Sequence, residues 1–142
     1  MHKLLIVSFM LFIVLLSSCK KDNEHEPANI LLSKTWKYGM VDKNQSSNPP
    51  GRVLYYAVLN CEKDDTFQFS SNGTLKISKG TAKCDSNEAI SETVSYVYDK
   101  SSKELTIDGT KYKLAEESGS QIKYYAPLPS STNYEYMVFL LQ

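Results

Sequence analysis

The sequence predicts an all-β domain over residues 30–142, and three observations support this prediction. The chain of 142 residues contains ten tyrosines and five phenylalanines, which are more frequent in strands than in helices. The apolar residues after position 30 come in short alternating runs, as expected for strands that bury one face. Asn-Gly, Asp-Gly and Ser-Gly pairs separate these runs and are typical of turns between antiparallel strands.

Two segments frame the domain and a third is ambiguous. After a short turn at residues 30–32, the first predicted strand carries Trp36, Tyr38 and Met40 on one face. The last strand is YEYMVFLL, which ends at Leu141. The unbroken apolar run RVLYYAVL, residues 52–59, fits either a buried strand or a short helix that covers one end of the domain.

Side-chain alternation predicts the length of each hairpin loop. Phe67 faces Ile77 and Phe69 faces Leu75 only if the loop has three residues and ends at Gly73. Glycine adopts positive φ without steric cost, which this type of loop requires at its last residue. A two-residue Asn-Gly turn would place both phenylalanines opposite polar side chains, so we reject it.

The same test gives two further hairpins. A two-residue Asp-Gly turn sets Leu105 opposite Tyr112. The next hairpin is predicted to have a three-residue loop, 117–119, with Leu114 facing Ile122. A short polar loop joins the strand before Leu105 to this series. Successive hairpins make a meander, and about eight antiparallel strands remove their edges by closing into an up-and-down β-barrel.

Aromatic side chains are predicted to line this barrel. An eight-stranded barrel is either filled by its own side chains or holds one small ligand, and both readings stay open here. The candidate ligand-binding residues on the inner face are Trp36, Tyr38, Phe67, Phe69, Tyr96, Tyr98, Tyr112 and Tyr124.

Residues 1–18 predict an export signal. Lys3 precedes an apolar run of 13 residues from Leu4 to Leu16, interrupted only by a serine. A span of the bilayer needs about 20 residues, so this run is too short to be a transmembrane helix. A basic start, a short apolar middle and small residues before the cut are typical of a secretory signal peptide.

The end of this signal resembles the lipobox of bacterial lipoproteins. The residues Leu16-Ser17-Ser18-Cys19 give an aliphatic residue, two small ones and a cysteine. The resemblance implies that Cys19 is the lipid attachment point, acylated with chains such as palmitate, and the first residue of the mature protein. The alternative is an ordinary signal peptide with an incidental cysteine.

The segment after Cys19 predicts a solvated tether over residues 19–29, because it is charged and contains a proline. Its acidic residues Asp22, Glu24 and Glu26 resemble a tag that sends some lipoproteins to the cell surface. A generic polar spacer is the alternative. We expect an outer-membrane lipoprotein that faces either the periplasm or the cell surface.

The two other cysteines, Cys61 and Cys84, bracket the first hairpin. An exported protein is in an oxidising setting, which favours a disulfide between them. In the predicted register they are one residue out of alignment, and a one-residue bulge at Gly80 would correct this. Metal-bound thiolates or a reactive thiol are the alternatives.

The composition argues against catalysis and against nucleic-acid binding. Without residues 1–18 the chain has 15 basic and 16 acidic side chains, so no basic face is predicted. The only histidines, His2 and His25, precede the domain, which therefore lacks the base of a Ser-His or Cys-His pair. Asp64, Asp65 and Asp85 give calcium as an alternative to ordinary turn capping. We expect no enzyme activity, no cofactor and no metal.

One longer stretch carries a resemblance to a family. The segment CEKDDTFQFSSNGTLKISKGTAKCD, residues 61–85, is similar to the lipocalin-like domain of small bacterial outer-membrane lipoproteins. The early Trp36 and the segment LTIDGTKYKL match this family too, whereas Lys34 and the insert KNQSSNPPG at residues 43–51 depart from it. The resemblance implies a small calyx-like barrel and no agreed ligand.

The expected function is that of a non-catalytic cell-envelope lipoprotein that binds a small hydrophobic ligand. The alternative is an interaction module whose loops SSNPPG and PLPSSTN contact a protein or a glycan. An open apolar cavity above roughly 300 Å³ would favour the ligand carrier, and a filled core would favour the module.

Overall fold

A computed structural model of the protein describes residues 29–142. The predicted signal peptide, Cys19 and nearly all of the tether lie outside the described residues. The described range contains two 3-10 helices, Ile30–Leu32 and Gln45–Ser47, and nine strands, which confirms the predicted all-β class. The strands are β1 (Trp36–Lys37), β2 (Val53–Tyr55), β3 (Thr66–Phe69), β4 (Thr74–Ser78), β5 (Ser91–Asp99), β6 (Glu104–Ile107), β7 (Thr110–Glu117), β8 (Ile122–Pro127) and β9 (Tyr136–Leu141).

The nine strands form one curled mixed sheet with the shape of a half-barrel, in the order β1-β3-β4-β5-β6-β7-β8-β9-β2. Strands β3 to β9 pair with their sequence neighbours in antiparallel fashion, as the predicted meander requires. Strand β2 is the difference, because it pairs with β9 in parallel. A closed antiparallel barrel of eight strands is therefore not confirmed.

The run at residues 52–59 forms neither a helix nor a fully buried strand. Only Val53–Tyr55 is a strand, and Leu54 at its centre is exposed. Its position on the outer edge of β9 leaves one side of the strand without a neighbour in the sheet order. The apolar run therefore contains a short edge strand and is only partly buried.

The two ends of the meander come close at one point. Tyr38 forms an antiparallel bridge with Leu141. Beside it, the backbones of Lys37 and Gln142 exchange two hydrogen bonds of 3.0 and 2.8 Å. The segment that begins with β1 therefore contacts both β3 and the end of β9.

Two predicted hairpin registers are confirmed. Phe67 pairs with Ile77 across β3 and β4, and Gly73 has φ of +80° at the end of the three-residue loop. Leu105 pairs with Tyr112 across β6 and β7. Asp108 and Gly109 both have positive φ there, at 47° and 76°, as a type I′ turn requires.

The predicted register of β7 and β8 is wrong. Leu114 faces Tyr124 instead of Ile122, and the register shifts between Leu114 and Glu116. The Ser118 N–H donates to the Gln121 carbonyl (2.9 Å), so the turn has two residues, 119 and 120, instead of the predicted three. A bulge adds one residue to one strand, and alternation alone does not reveal it.

The core lies on the concave face of the sheet. Trp36 is completely buried, and its indole N–H donates to the carbonyl of Leu31 (2.9 Å). Met40 was expected on the same face but is 58 % exposed, because the chain leaves the sheet after Gly39. The buried core consists of Leu31, Trp36, Phe67, Phe69, Leu75, Tyr96, Leu105, Leu114, Ile122, Tyr124 and Leu141.

The predicted disulfide between Cys61 and Cys84 is present, with Cα atoms 5.1 Å apart. The expected bulge at Gly80 is absent from the paired residues of β3, β4 and β5, whose registers run without a shift. The cysteines instead lie in loops beyond the strand ends. Gly80 packs against Asp64, whose carboxylate a Cβ atom at that position would overlap.

The acidic residues considered for calcium have other partners. Asp64 accepts a hydrogen bond from the Thr81 N–H (2.7 Å), and Asp65 accepts from the Gly80 N–H (3.0 Å) and from Lys79 (3.3 Å). Within residues 29–142, no group of three or more His, Cys, Asp or Glu side chains is placed to hold a metal ion. These carboxylates anchor the loop that follows β4.

Candidate functional site

A cleft of about 470 Å³ lies beside β9, where the segment after β1 approaches the segment after β2. We call it the seam cleft. It is lined by Tyr38, Gly39, Met40, Val41, Asp42, Gln45, Tyr55, Tyr56, Ala57, Val58, Val138 and Leu140.

The strand directions explain why a cleft forms here. Strand β2 runs parallel to β9, and its extension ends with the Tyr56 N–H donating to the Val138 carbonyl (2.8 Å). The segment after β1 runs the opposite way along the same edge, and the Gly39 N–H donates to the Leu140 carbonyl (2.9 Å). The two segments approach each other on one edge, so both must leave β9 where they meet.

The cleft combines a buried apolar floor with an exposed apolar rim. Val138 and Leu140 are 0 % and 6 % exposed, whereas Met40 and Val41 are 58 % and 72 % exposed. Ala57 on the opposite wall is also exposed. Apolar side chains that meet water around a concave site are typical of ligand-binding pockets.

One wall of the cleft is continuous with the aromatic core. The ring of Tyr56 lies 5.7 Å from that of Tyr38 and stacks on Phe139 at 5.2 Å. Phe139 in turn stacks on Tyr124 at 5.1 Å. The Tyr56 hydroxyl donates to Glu62 (2.8 Å), so both ends of this side chain are held.

Burial raises the pKa of the Tyr38 hydroxyl well above its usual range, and the neighbouring Tyr56 hydroxyl and Glu62 carboxylate raise it further. Burial and the hydrogen bond to Glu62 also raise the pKa of Tyr56. Both tyrosines are therefore neutral at physiological pH and present hydroxyl groups rather than charges.

A buried ionic network lies directly beside the cleft, on the convex face of β8. Lys123 is completely buried and its Nζ lies 2.8 Å from Asp42 Oδ2. The same Nζ donates to the Asn44 carbonyl (2.6 Å) and to Asn48 Oδ1 (2.7 Å). An ammonium group has three donors, so the hydrogen-bonding capacity of Lys123 is filled.

Asp42 is equally well satisfied. Besides Lys123, its carboxylate accepts from the Tyr55 hydroxyl (2.6 Å), from Gln121 Nε2 (3.0 Å) and from the Asn44 N–H (3.0 Å). Burial by itself would raise the pKa of Asp42, but these four hydrogen bonds outweigh it and lower the pKa to about 2.

The insert at residues 43–51 covers this network and supplies several of its hydrogen-bond partners. Ser47 donates to Glu116 (3.0 Å), Asn48 donates to Tyr55 (2.7 Å), and Pro49 is buried. The insert therefore packs onto the sheet through Ser47, Asn48 and Pro49, which belong to the SSNPPG loop expected to contact a partner. The second expected contact loop, PLPSSTN at residues 127–133, is exposed except for Leu128, which is half-buried.

The predicted inner-face aromatics are placed mostly in the core rather than at the cleft. Phe69 packs edge-on against Tyr96 at 4.9 Å, as Tyr112 does against Tyr124 at 5.2 Å. Only Tyr38 lines the seam cleft, and Tyr112 lines a second cavity of about 280 Å³. Those that pack in or against the core without lining either cavity are Trp36, Phe67, Phe69, Tyr96, Tyr98 and Tyr124.

Sequence reasoning missed most of the cleft and all of the ionic network. The signal for the cleft was the apolar run at residues 52–59, which is longer than strand β2 needs. The signal for the network was Lys123, a charged residue inside the apolar segment QIKYY. Neither signal identifies the residues that lie opposite in the fold.

No family model, curated protein or solved structure matches this chain. Among residues 29–142 there is also no helix with the length and apolar character needed to cross a bilayer.

Proposed function

We propose that this protein is a non-catalytic cell-envelope lipoprotein that binds a small, mainly apolar molecule in the seam cleft. One observation carries the proposal, namely the cleft itself, with its volume of about 470 Å³ beside exposed Met40 and Val41. Ligand sites in proteins start at roughly 300 Å³ and are lined mainly by apolar and aromatic side chains.

The chemistry of the lining supports binding rather than catalysis. The lining contains no serine, cysteine, histidine or lysine. Its one carboxylate, Asp42, is held by four hydrogen bonds and is not free to act as a base. Burial raises the pKa of all three lining tyrosines, Tyr38, Tyr55 and Tyr56. General acid–base catalysis works best with a pKa near the operating pH, and a nucleophile needs a base that activates it.

The location is proposed from the N-terminal sequence. The segment that ends in Cys19 resembles a lipobox, and one acyl chain alone binds membranes only marginally, whereas two or three anchor a protein stably. We place the domain on the outer membrane, facing the periplasm or the cell surface. A lipocalin-like barrel closed along the seam belongs to the same proposal, and the Tyr38–Leu141 bridge supports it.

A charge in the cleft tests the ligand-binding proposal. The Val41→Asp variant should bind an uncharged solvatochromic dye at least about tenfold more weakly, because a carboxylate in an apolar site opposes an apolar ligand. The matched control is Val97→Asp on β5, a similarly exposed valine outside the cleft lining. Fluorescence titration measures both. Equal effects of the two variants, or no dye uptake by the parent protein, would contradict the proposal.

Membrane attachment has its own test. The Cys19→Ala variant should move from the membrane fraction to the soluble fraction, because it has no site for acylation. Retention of this variant in membranes would show that Cys19 is not the anchor.

A filled interior favours the alternative of an interaction module that contacts a protein or a glycan. Six of the eight predicted inner-face aromatics pack in or against the core without lining either described cavity. The dye titration separates the two functions, because the module requires no small ligand in the seam cleft.

A further inference from the structure

We infer that the ligand of the seam cleft is uncharged: an apolar body that carries a hydroxyl, ester or amide group, rather than a carboxylic acid or an amine. The inference depends on the proposed function and specifies the class of ligand. It follows from the charged and polar groups of the lining and from the ammonium group that pairs with the lining carboxylate.

An anionic ligand finds no cation. The lining contains no lysine or arginine, and the ammonium group that contacts its carboxylate is that of Lys123. Lys123 is completely buried, and its three donors are used by Asp42, Asn44 and Asn48. A ligand carboxylate could recruit it only by breaking this network, and burying a charge without a partner is strongly unfavourable.

A cationic ligand finds no free carboxylate. Asp42 is the only acidic residue of the lining. Its Oδ1 accepts from Gln121 and the Asn44 N–H, and its Oδ2 accepts from Lys123 and Tyr55. The charge of Asp42 is neutralised by Lys123, so a second cation would gain little attraction and would lose its hydration.

Neutral polar groups remain for a neutral ligand. Two of the three tyrosine hydroxyls in the lining are engaged, Tyr55 with Asp42 and Tyr56 with Glu62. The third hydroxyl of the lining is that of Tyr38, whose pKa burial raises so that it stays neutral, and Gln45 is exposed. A hydroxyl and an amide can each donate to or accept from an uncharged polar group.

Three probes with one body and different charges test the inference. The lipidated protein in nanodiscs is titrated at pH 7 with 2-naphthalenemethanol, 2-naphthoate and 2-naphthylmethylammonium. Methyl NMR shifts of Met40 and Val41 report binding at the cleft itself, which excludes signals from probe dissolved in lipid. We expect the alcohol to bind at least about tenfold more tightly than either ion.

The outcomes separate the inference from the proposed function. Equal or tighter binding of either ion would overturn the inference and leave ligand binding by the cleft intact. Failure of all three probes to shift these methyl groups would instead contradict the proposed function, and the inference with it.

A variant that supplies a cation gives a second test. Met40→Lys changes an exposed side chain of the rim and leaves the buried network untouched. It should raise the affinity for 2-naphthoate about tenfold, read from the Val41 methyl shifts, while the matched variant Val97→Lys should not. An unchanged naphthoate affinity in Met40→Lys would show that the missing cation does not decide ligand choice.

Discussion

The two faces of strand β8 are equally buried but chemically opposite. Ile122 and Tyr124 on the concave face are 0 % and 7 % exposed, whereas Lys123 on the convex face and Gln121, which directly precedes the strand, are both 0 % exposed. The concave side chains lie among the aromatic and aliphatic residues of the core. The convex side chains lie under the insert at residues 43–51 and are surrounded by polar atoms.

The comparison shows two ways of stabilising a buried strand. On the concave face each apolar side chain stabilises the fold by its removal from water. The loss of unfolding free energy therefore grows with the number of methyl or methylene groups removed. On the convex face the charge is stable only because each donor of Lys123 has an acceptor. Loss of one partner there leaves a buried charge unpaired, so a single substitution should cause a large loss of unfolding free energy.

Lys123→Met should have the largest effect. Methionine occupies a similar volume but leaves the Asp42 carboxylate buried without its cation, which costs about 3–5 kcal/mol of unfolding free energy. Chemical denaturation measures the loss. The control is Lys113→Met on neighbouring β7, whose side chain is 47 % exposed, and its effect should stay within about 0.5 kcal/mol.

A double variant sharpens this result. Asp42→Leu combined with Lys123→Met removes both charges, so it should cost less than Lys123→Met alone. If Lys123→Met were as stable as its control Lys113→Met, the ionic pair would not contribute to the stability of the convex face.

Acid should destabilise the convex face by an intermediate amount. The pKa of Asp42 is lowered from 3.8 to about 2 in the folded protein, so between these values the unfolded chain binds more protons. The stabilisation is complete above about pH 4 and is lost as the pH falls toward 2, with a total of about 2 kcal/mol.

Denaturation curves collected from pH 5 to pH 2 measure this loss. The double variant Asp42→Leu/Lys123→Met is the reference, because it retains the other carboxylates and lacks this one. Parallel pH profiles for the parent and the double variant would contradict the assignment to Asp42.

Ile122→Val on the concave face should have the smallest effect. Loss of one buried methylene costs about 1 kcal/mol, and the difference from the parent protein should be the same at pH 3 and pH 6. The control is Ile90→Val, because Ile90 is 76 % exposed and its change should be close to zero. A pH-dependent loss in Ile122→Val would mean that the two faces of β8 are not energetically separate.

Local reasoning succeeded where a hairpin is regular. The pairing of Phe67 with Ile77 and the turn at Gly109 follow from alternation and from the need for positive φ. It failed between β7 and β8, where a bulge after Leu114 changes the register without changing the apolar pattern that alternation uses. It also missed the role of Met40, because nothing in the pattern marks where a strand leaves its sheet.

The sequence by itself determined the all-β class, the meander and the bond between Cys61 and Cys84, because alternation and turn residues are visible along the chain and the predicted export signal favours a disulfide. Only the tertiary structure decided that β2 joins β9 in parallel, that Lys123 meets Asp42, and that a cleft opens where the segments after β1 and β2 approach each other. These features depend on which distant segments share one strand edge. Periodicity specifies which face of a strand is buried, but not which residues cover it.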